Sequence, residues 1–95
     1  MNPSDPGDLA LRITARRNRL LGQWAAERMA LTPAEADAYA TSVVQSDFEQ
    51  GDADDVVRKL IGDLAAAGVD VDNAEVRRAV ETHTVEARRQ LMEAR

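Results

Sequence analysis

From Leu9 to Leu91 the apolar residues of this chain recur at three- and four-residue spacing, and helix start and stop signals cut that spacing into four segments. The clearest signal is Leu31-Thr32-Pro33-Ala34-Glu35. Thr32 caps, Pro33 takes the first helical position, where a missing N–H costs nothing, and Glu35 closes a capping box. Gly51 stops the segment that follows. Asp52 caps the next one, with Asp54 and Asp55 beside the positive end of the helix dipole. Ala65-Ala66-Ala67-Gly68 ends this third segment on a glycine suited to the left-handed position. Val69-Asp70-Val71 is a short extended link, after which Asp72 caps a fourth helix and Glu75 makes a second box-like pair. Asp8 caps the first helix, and Pro3, Pro6 and Gly7 make residues 1–7 a flexible tail. The expected helices are 8–30, 33–49, 53–67 and 73–94, in a single domain over 8–95. No stretch reads as a strand.

The faces of these helices set the architecture. In the first, Leu9, Ile13, Leu20, Leu21 and Trp24 fall within an arc of about 120°, while Arg12, Arg16, Arg19 and Gln23 fall on a separate one. Arg17 and Arg28 interrupt the apolar arc, and each is expected to lay its stem on the core edge or to pair with an acid. Ala36, Tyr39, Ala40, Val43, Val44 and Phe48 form the apolar face of the second helix. Val56, Val57, Leu60, Ile61 and Leu64 form that of the third. Val76, Ala79, Val80, His83, Ala87, Leu91 and Ala94 form that of the fourth. Aromatics are confined to Trp24, Tyr39 and Phe48, so the core is aliphatic. Short loops make successive helices antiparallel neighbours, and the predicted fold is all-α, an up-and-down four-helix bundle.

Little in the chain can do covalent chemistry. It has no cysteine, which removes disulfides, thiolate metal sites and cysteine nucleophiles together. His83 is the lone histidine, without the second ligand that an HxxxH or ExxH pattern would supply, and reads as a half-buried histidine with one hydrogen bond. Gly51-Asp52-Ala53-Asp54-Asp55 lacks the spacing of a calcium loop and reads as helix-start acids. There is no glycine-rich phosphate cradle and no nucleophile elbow, so no enzyme, metal or cofactor is expected. No apolar run approaches the ~20 residues that span a bilayer, and a net charge of −5 argues against nucleic acid as the main partner.

The densest charge cluster is Arg12, Arg16, Arg17 and Arg19. Arg12, Arg16 and Arg19, with Gln23, are the candidate partner-binding residues. They suit acids on a protein or, more weakly, the phosphates of a nucleotide. No aromatics interleave with them to stack bases.

The run Ala15-Arg16-Arg17-Asn18-Arg19-Leu20-Leu21-Gly22, followed by Trp24-Ala25-Ala26-Glu27, resembles the start of a small bacterial family, the ATPase inhibitor zeta subunit. Tyr39-Ala40 with Val43-Val44, Asp47-Phe48-Glu49, and Asp63-Leu64-Ala65-Ala66-Ala67-Gly68-Val69-Asp70-Val71 with Arg77-Arg78 beyond it agree in order. The resemblance extends over roughly residues 12–92. It implies a four-helix bundle, cytoplasmic or peripheral to the inner membrane, that binds the catalytic head of F-type ATP synthase. Inhibitory members block ATP hydrolysis by inserting an N-terminal segment between head subunits. Here only Met1 to Ile13 precede Thr14-Ala15-Arg16-Arg17, less than those members carry, so inhibition is expected to be weak or absent. Arg17, Asn18, Trp24 and Phe48 are expected to be structural members of the motif. Arg17 is expected to pair with Asp47 or Glu49 and so join the first two helices. A docking bundle with another partner, or one that binds nucleotide weakly, is the alternative reading.

Overall fold

A computed structural model of the chain describes residues 6–46 and 53–93. Its elements are α1 (Pro6–Arg28), α2 (Pro33–Ser46), α3 (Ala53–Ala66) and α4 (Asn73–Glu93). The capping box forms in full. The Thr32 N–H donates to Glu35 Oε1 at 2.8 Å and the Glu35 N–H donates to Thr32 Oγ1 at 3.2 Å. The Thr32 N–H is the main cause that holds the Glu35 carboxyl below the usual carboxylate range. Asp72 caps α4 by accepting the Glu75 N–H at 2.7 Å. Glu75 does not close a reciprocal box; its side chain pairs with Arg28 of α1 at 2.5 Å. The expected cap Asp52 and the ends of the second and fourth helices beyond Ser46 and Glu93 lie outside the described residues.

Two helix ends differ from expectation. α1 starts at Pro6, two residues before Asp8, because proline is as well suited to the first helical position as aspartate is to the cap. At its other end α1 closes through Ala30, a non-glycine residue with φ 58°. The Leu31 N–H reaches the Ala26 carbonyl and the Ala30 N–H that of Glu27, both at 3.1 Å. This is the double-bonded left-handed termination that usually recruits glycine. Gly68 ends α3 in the same way at φ 78°, with the Val69 N–H on the Leu64 carbonyl at 2.8 Å.

α1 is the central helix. Its buried positions are Arg17, Asn18, Leu21, Gly22, Ala25 and Ala26, and the small residues Gly22, Ala25 and Ala26 let the other helices come close. α1 packs against α2, α3 and α4, whereas α2 and α4 have no Cα atoms within 8 Å of each other among the described residues. The α1 and α2 backbones come close at Gly22, where a Cβ would lie 2.6 Å from the Ala40 Cα. Leu21, Val43, Val56, Val57, Leu60, Leu64, Val76 and Val80 fill the core, with Trp24, Tyr39 and Ile61 half-buried against it. A fully buried leucine such as Leu60 contributes roughly 1.5–3 kcal/mol through area removed from water.

Side-chain ties fix the directions. Arg16 reaches Gln90 and Arg28 reaches Glu75, so α1 and α4 run antiparallel. Arg19 meets Asp37 and Thr41, as an antiparallel α1–α2 hairpin requires. Helix α3 departs from a strict up-and-down order. Asp54 in its first turn pairs with Arg77 in the second turn of α4 at 2.8 Å. A straight hairpin around residues 67–72 would set Asp54 about eight residues, ~12 Å, further along α4. α3 therefore crosses the N-terminal half of α4 rather than lying along it.

Candidate functional site

Because α2 and α4 stand apart, one face of α1 remains as the floor of a trough between them. Two open grooves of ≈ 450 Å³ and ≈ 440 Å³ make up the trough. Arg12 and Ala15 line the first, with Thr41, Val44 and Gln45 from α2 and Leu91 from α4. Leu20, Gln23 and Gln90 line the second, and Arg16 and Arg19 belong to both. The four candidate docking residues, Arg12, Arg16, Arg19 and Gln23, thus come together on one floor. The walls were not expected. Val44 and Leu91 were assigned to apolar faces pointing at the core, yet both are only half-buried because they sit at the edges where the two outer helices fail to meet. The i, i+4 pair Thr41 and Gln45 flanking Val44 is the signal that could have marked this wall.

The arginines point apart. Arg16 Nη1 donates to Gln90 Oε1 at 3.0 Å on the α4 side. Gln90 is held in turn by donating its Nε2 to Glu86 at 3.2 Å. Arg19 Nη2 meets Asp37 at 2.5 Å on the α2 side, and its Nη1 approaches Thr41 Oγ1 at 3.5 Å. Both members of the Arg19–Asp37 pair are exposed, so the pair contributes at most about 1 kcal/mol and yields readily to a stronger ligand. Arg12 makes no hydrogen bond or ion pair among the described residues. Gln23 is exposed at the far end of the floor.

The motif residues do different work. Arg17 and Asn18 are buried, 8% and 1% exposed, and Arg17 Nε donates to Asn18 Oδ1 at 3.0 Å. The expected acids Asp47 and Glu49, and Phe48 with them, lie outside the described residues. Trp24 is half-buried beneath Arg28, whose guanidinium carbon is 4.6 Å from the ring centroid, so this ring belongs to the α1–α4 joint. His83 is half-buried as expected, with Nδ1 donating to the Ala79 carbonyl at 2.7 Å.

Upstream of Arg17 no residue of α1 from Gly7 onward is buried. Leu9 and Ile13 are half-buried and Leu11 is 55% exposed. These first turns are a lightly packed helical arm ahead of the buried part of α1, with the Leu11 side chain presented to solvent. Among the described residues no three His, Asp or Glu gather as a metal site would require, and no helix is long and apolar enough to cross a membrane.

Comparison with known proteins agrees with this geometry. A protein whose structure was determined by solution NMR is 41% identical and superposes with a TM-score of 0.77, over 90% of this chain and 96% of the solved one. No curated protein matches the chain. The model of the ATPase inhibitor subunit zeta family matches residues 5–90, which takes in all of α1, α2 and α3 and most of α4, and the chain belongs to that family.

Proposed function

We propose that this chain is a non-catalytic regulator that docks on the catalytic head of F-type ATP synthase and restrains ATP hydrolysis weakly, through the N-terminal turns of α1. The observation that carries the reading is the helical arm, in a chain of a family described as an ATPase inhibitor subunit. The arm is already helical, so inserting it between two subunits costs little further ordering entropy. Exposed Leu11 and half-buried Leu9 and Ile13 supply apolar surface for a protein interface. Arg12, Arg16, Arg19 and Gln23 then form a second contact where the arm meets the bundle. Such a protein acts in the cytoplasm and reaches the inner membrane only through the synthase.

A photo-cross-linker at exposed Ala10 tests the arm. With the purified head from the same organism, the reading expects a covalent product to a head subunit, reduced by excess unlabelled protein. Complex formation without any product from Ala10 would overturn the role of the arm.

A further inference from the structure

We infer that the trough between α2 and α4 is a docking groove for an acidic amphipathic helix of a protein partner. The inference rests on the docking reading above only for who that partner is. Three features select this occupant. First, Arg12, Arg16 and Arg19 form a row along α1, spaced four and three residues apart over about 10 Å of helix. Carboxylates at the same spacing on a facing helix would meet all three. Second, the charges do not converge: Arg16 leans to the α4 wall and Arg19 to the α2 wall. That arrangement suits carboxylates distributed along a rod, not one compact anion. Third, Ala15, Leu20, Val44 and Leu91 put apolar surface between the cations, which a helix with an apolar stripe would cover. The row is recessed between two walls, so a protruding element reaches it more easily than a flat lipid surface does. The basic floor is complementary to an acidic partner, and the net charge of −5 sets two copies of the chain against each other over the rest of their surfaces.

The full-length chain, labelled with nitrogen-15, is titrated with a synthetic alanine–leucine helix carrying glutamates at i, i+4 and i+7, followed by NMR. The expected result is shifts at Ala15, Arg16, Arg19, Thr41, Gln45 and Leu91. Binding should weaken at least tenfold between low and physiological salt. Arg12→Glu, which breaks no hydrogen bond or ion pair among the described residues, should weaken it at least tenfold, while exposed Arg78→Gln on α4 leaves it unchanged. A peptide with glutamines in place of the glutamates should not bind. The inference is overturned by an equal response to the glutamine peptide, by shifts mapping elsewhere, by indifference to Arg12→Glu, or by silence at millimolar peptide. It is also overturned if phosphatidylglycerol vesicles bind with the same Arg12 dependence while the peptide does not. Failure of the peptide leaves the cross-link from Ala10 free to succeed, so the two readings fail separately.

Discussion

Gly22→Ala and Gly62→Ala should move stability in opposite directions. Both glycines lie inside helices, so each alanine gains roughly 0.5–1 kcal/mol of helix propensity. At Gly62 nothing lies within 4 Å of the added Cβ, and the gain should appear undiminished. At Gly22 the Cβ would sit 2.6 Å from the Ala40 Cα, 3.1 Å from its Cβ and 3.3 Å from Val43 Cγ2. The nearest obstacle is backbone, so no rotamer change relieves it. α1 and α2 must separate until that contact reaches ordinary van der Waals distance, at least 3.4 Å, which is 0.8 Å more than now. Overpacking of this kind costs about 1–3 kcal/mol, and separating the helices also loosens Leu21 and Val43. The net expectation for Gly22→Ala is a loss of about 1–2 kcal/mol, or roughly 4–15 °C in Tm for a domain of this size. Urea unfolding followed through Trp24 fluorescence, with circular dichroism as a second probe, measures both variants. If Gly22→Ala were stabilising to the same degree as Gly62→Ala, the close α1–α2 crossing would be wrong.

The left-handed helix ends make a second opposed pair: Ala30→Gly should stabilise by about 1 kcal/mol and Gly68→Ala should destabilise by about 1–2 kcal/mol, both read by urea midpoint. Tyr39 donates to Asp63 at 2.7 Å, and burial, reinforced by that bond, pushes its phenol well above its ordinary value. The folded state thus favours neutral Tyr39, its contribution is full below about pH 10 and is lost as pH rises further, and Tyr39→Phe should cost about 1 kcal/mol at neutral pH while flattening that alkaline loss. Thr32→Ala should cost about 1 kcal/mol through the lost cap. Glu35, whose folded value is depressed, contributes above the ordinary carboxylate range and loses that contribution as pH falls through its lowered value, so Glu35→Gln should flatten the acid limb of a stability–pH curve.

What could be read directly from the residues was local. The capping box at Thr32 and Glu35, the Asp72 cap and the left-handed Gly68 are decided by neighbours within a few positions, and all three stand where expected. The α1 terminus at Ala30 carries no glycine to announce it; it is imposed by the α1–α2 turn. Gly22 sat in the motif as an unexplained glycine within a helical run, a pattern that often marks close backbone approach. Its partner Ala40 could be named only once the helices were packed. The same holds for Arg17, whose place in the apolar arc showed that it had to be accommodated, though not that it would be buried beside Asn18. The arginine face was legible from helical periodicity. Its trough was not, because the walls exist only where α2 and α4 fail to touch and α3 crosses beneath.

The most direct test mixes this protein with the purified ATP synthase head from its own organism and follows ATP hydrolysis and complex formation in the same samples. The account predicts a stoichiometric complex in which hydrolysis falls with added protein, with both effects weakened when Leu11 on the arm is changed to Asp. A head that hydrolyses ATP at its full rate and forms no complex at micromolar concentrations of both would contradict it.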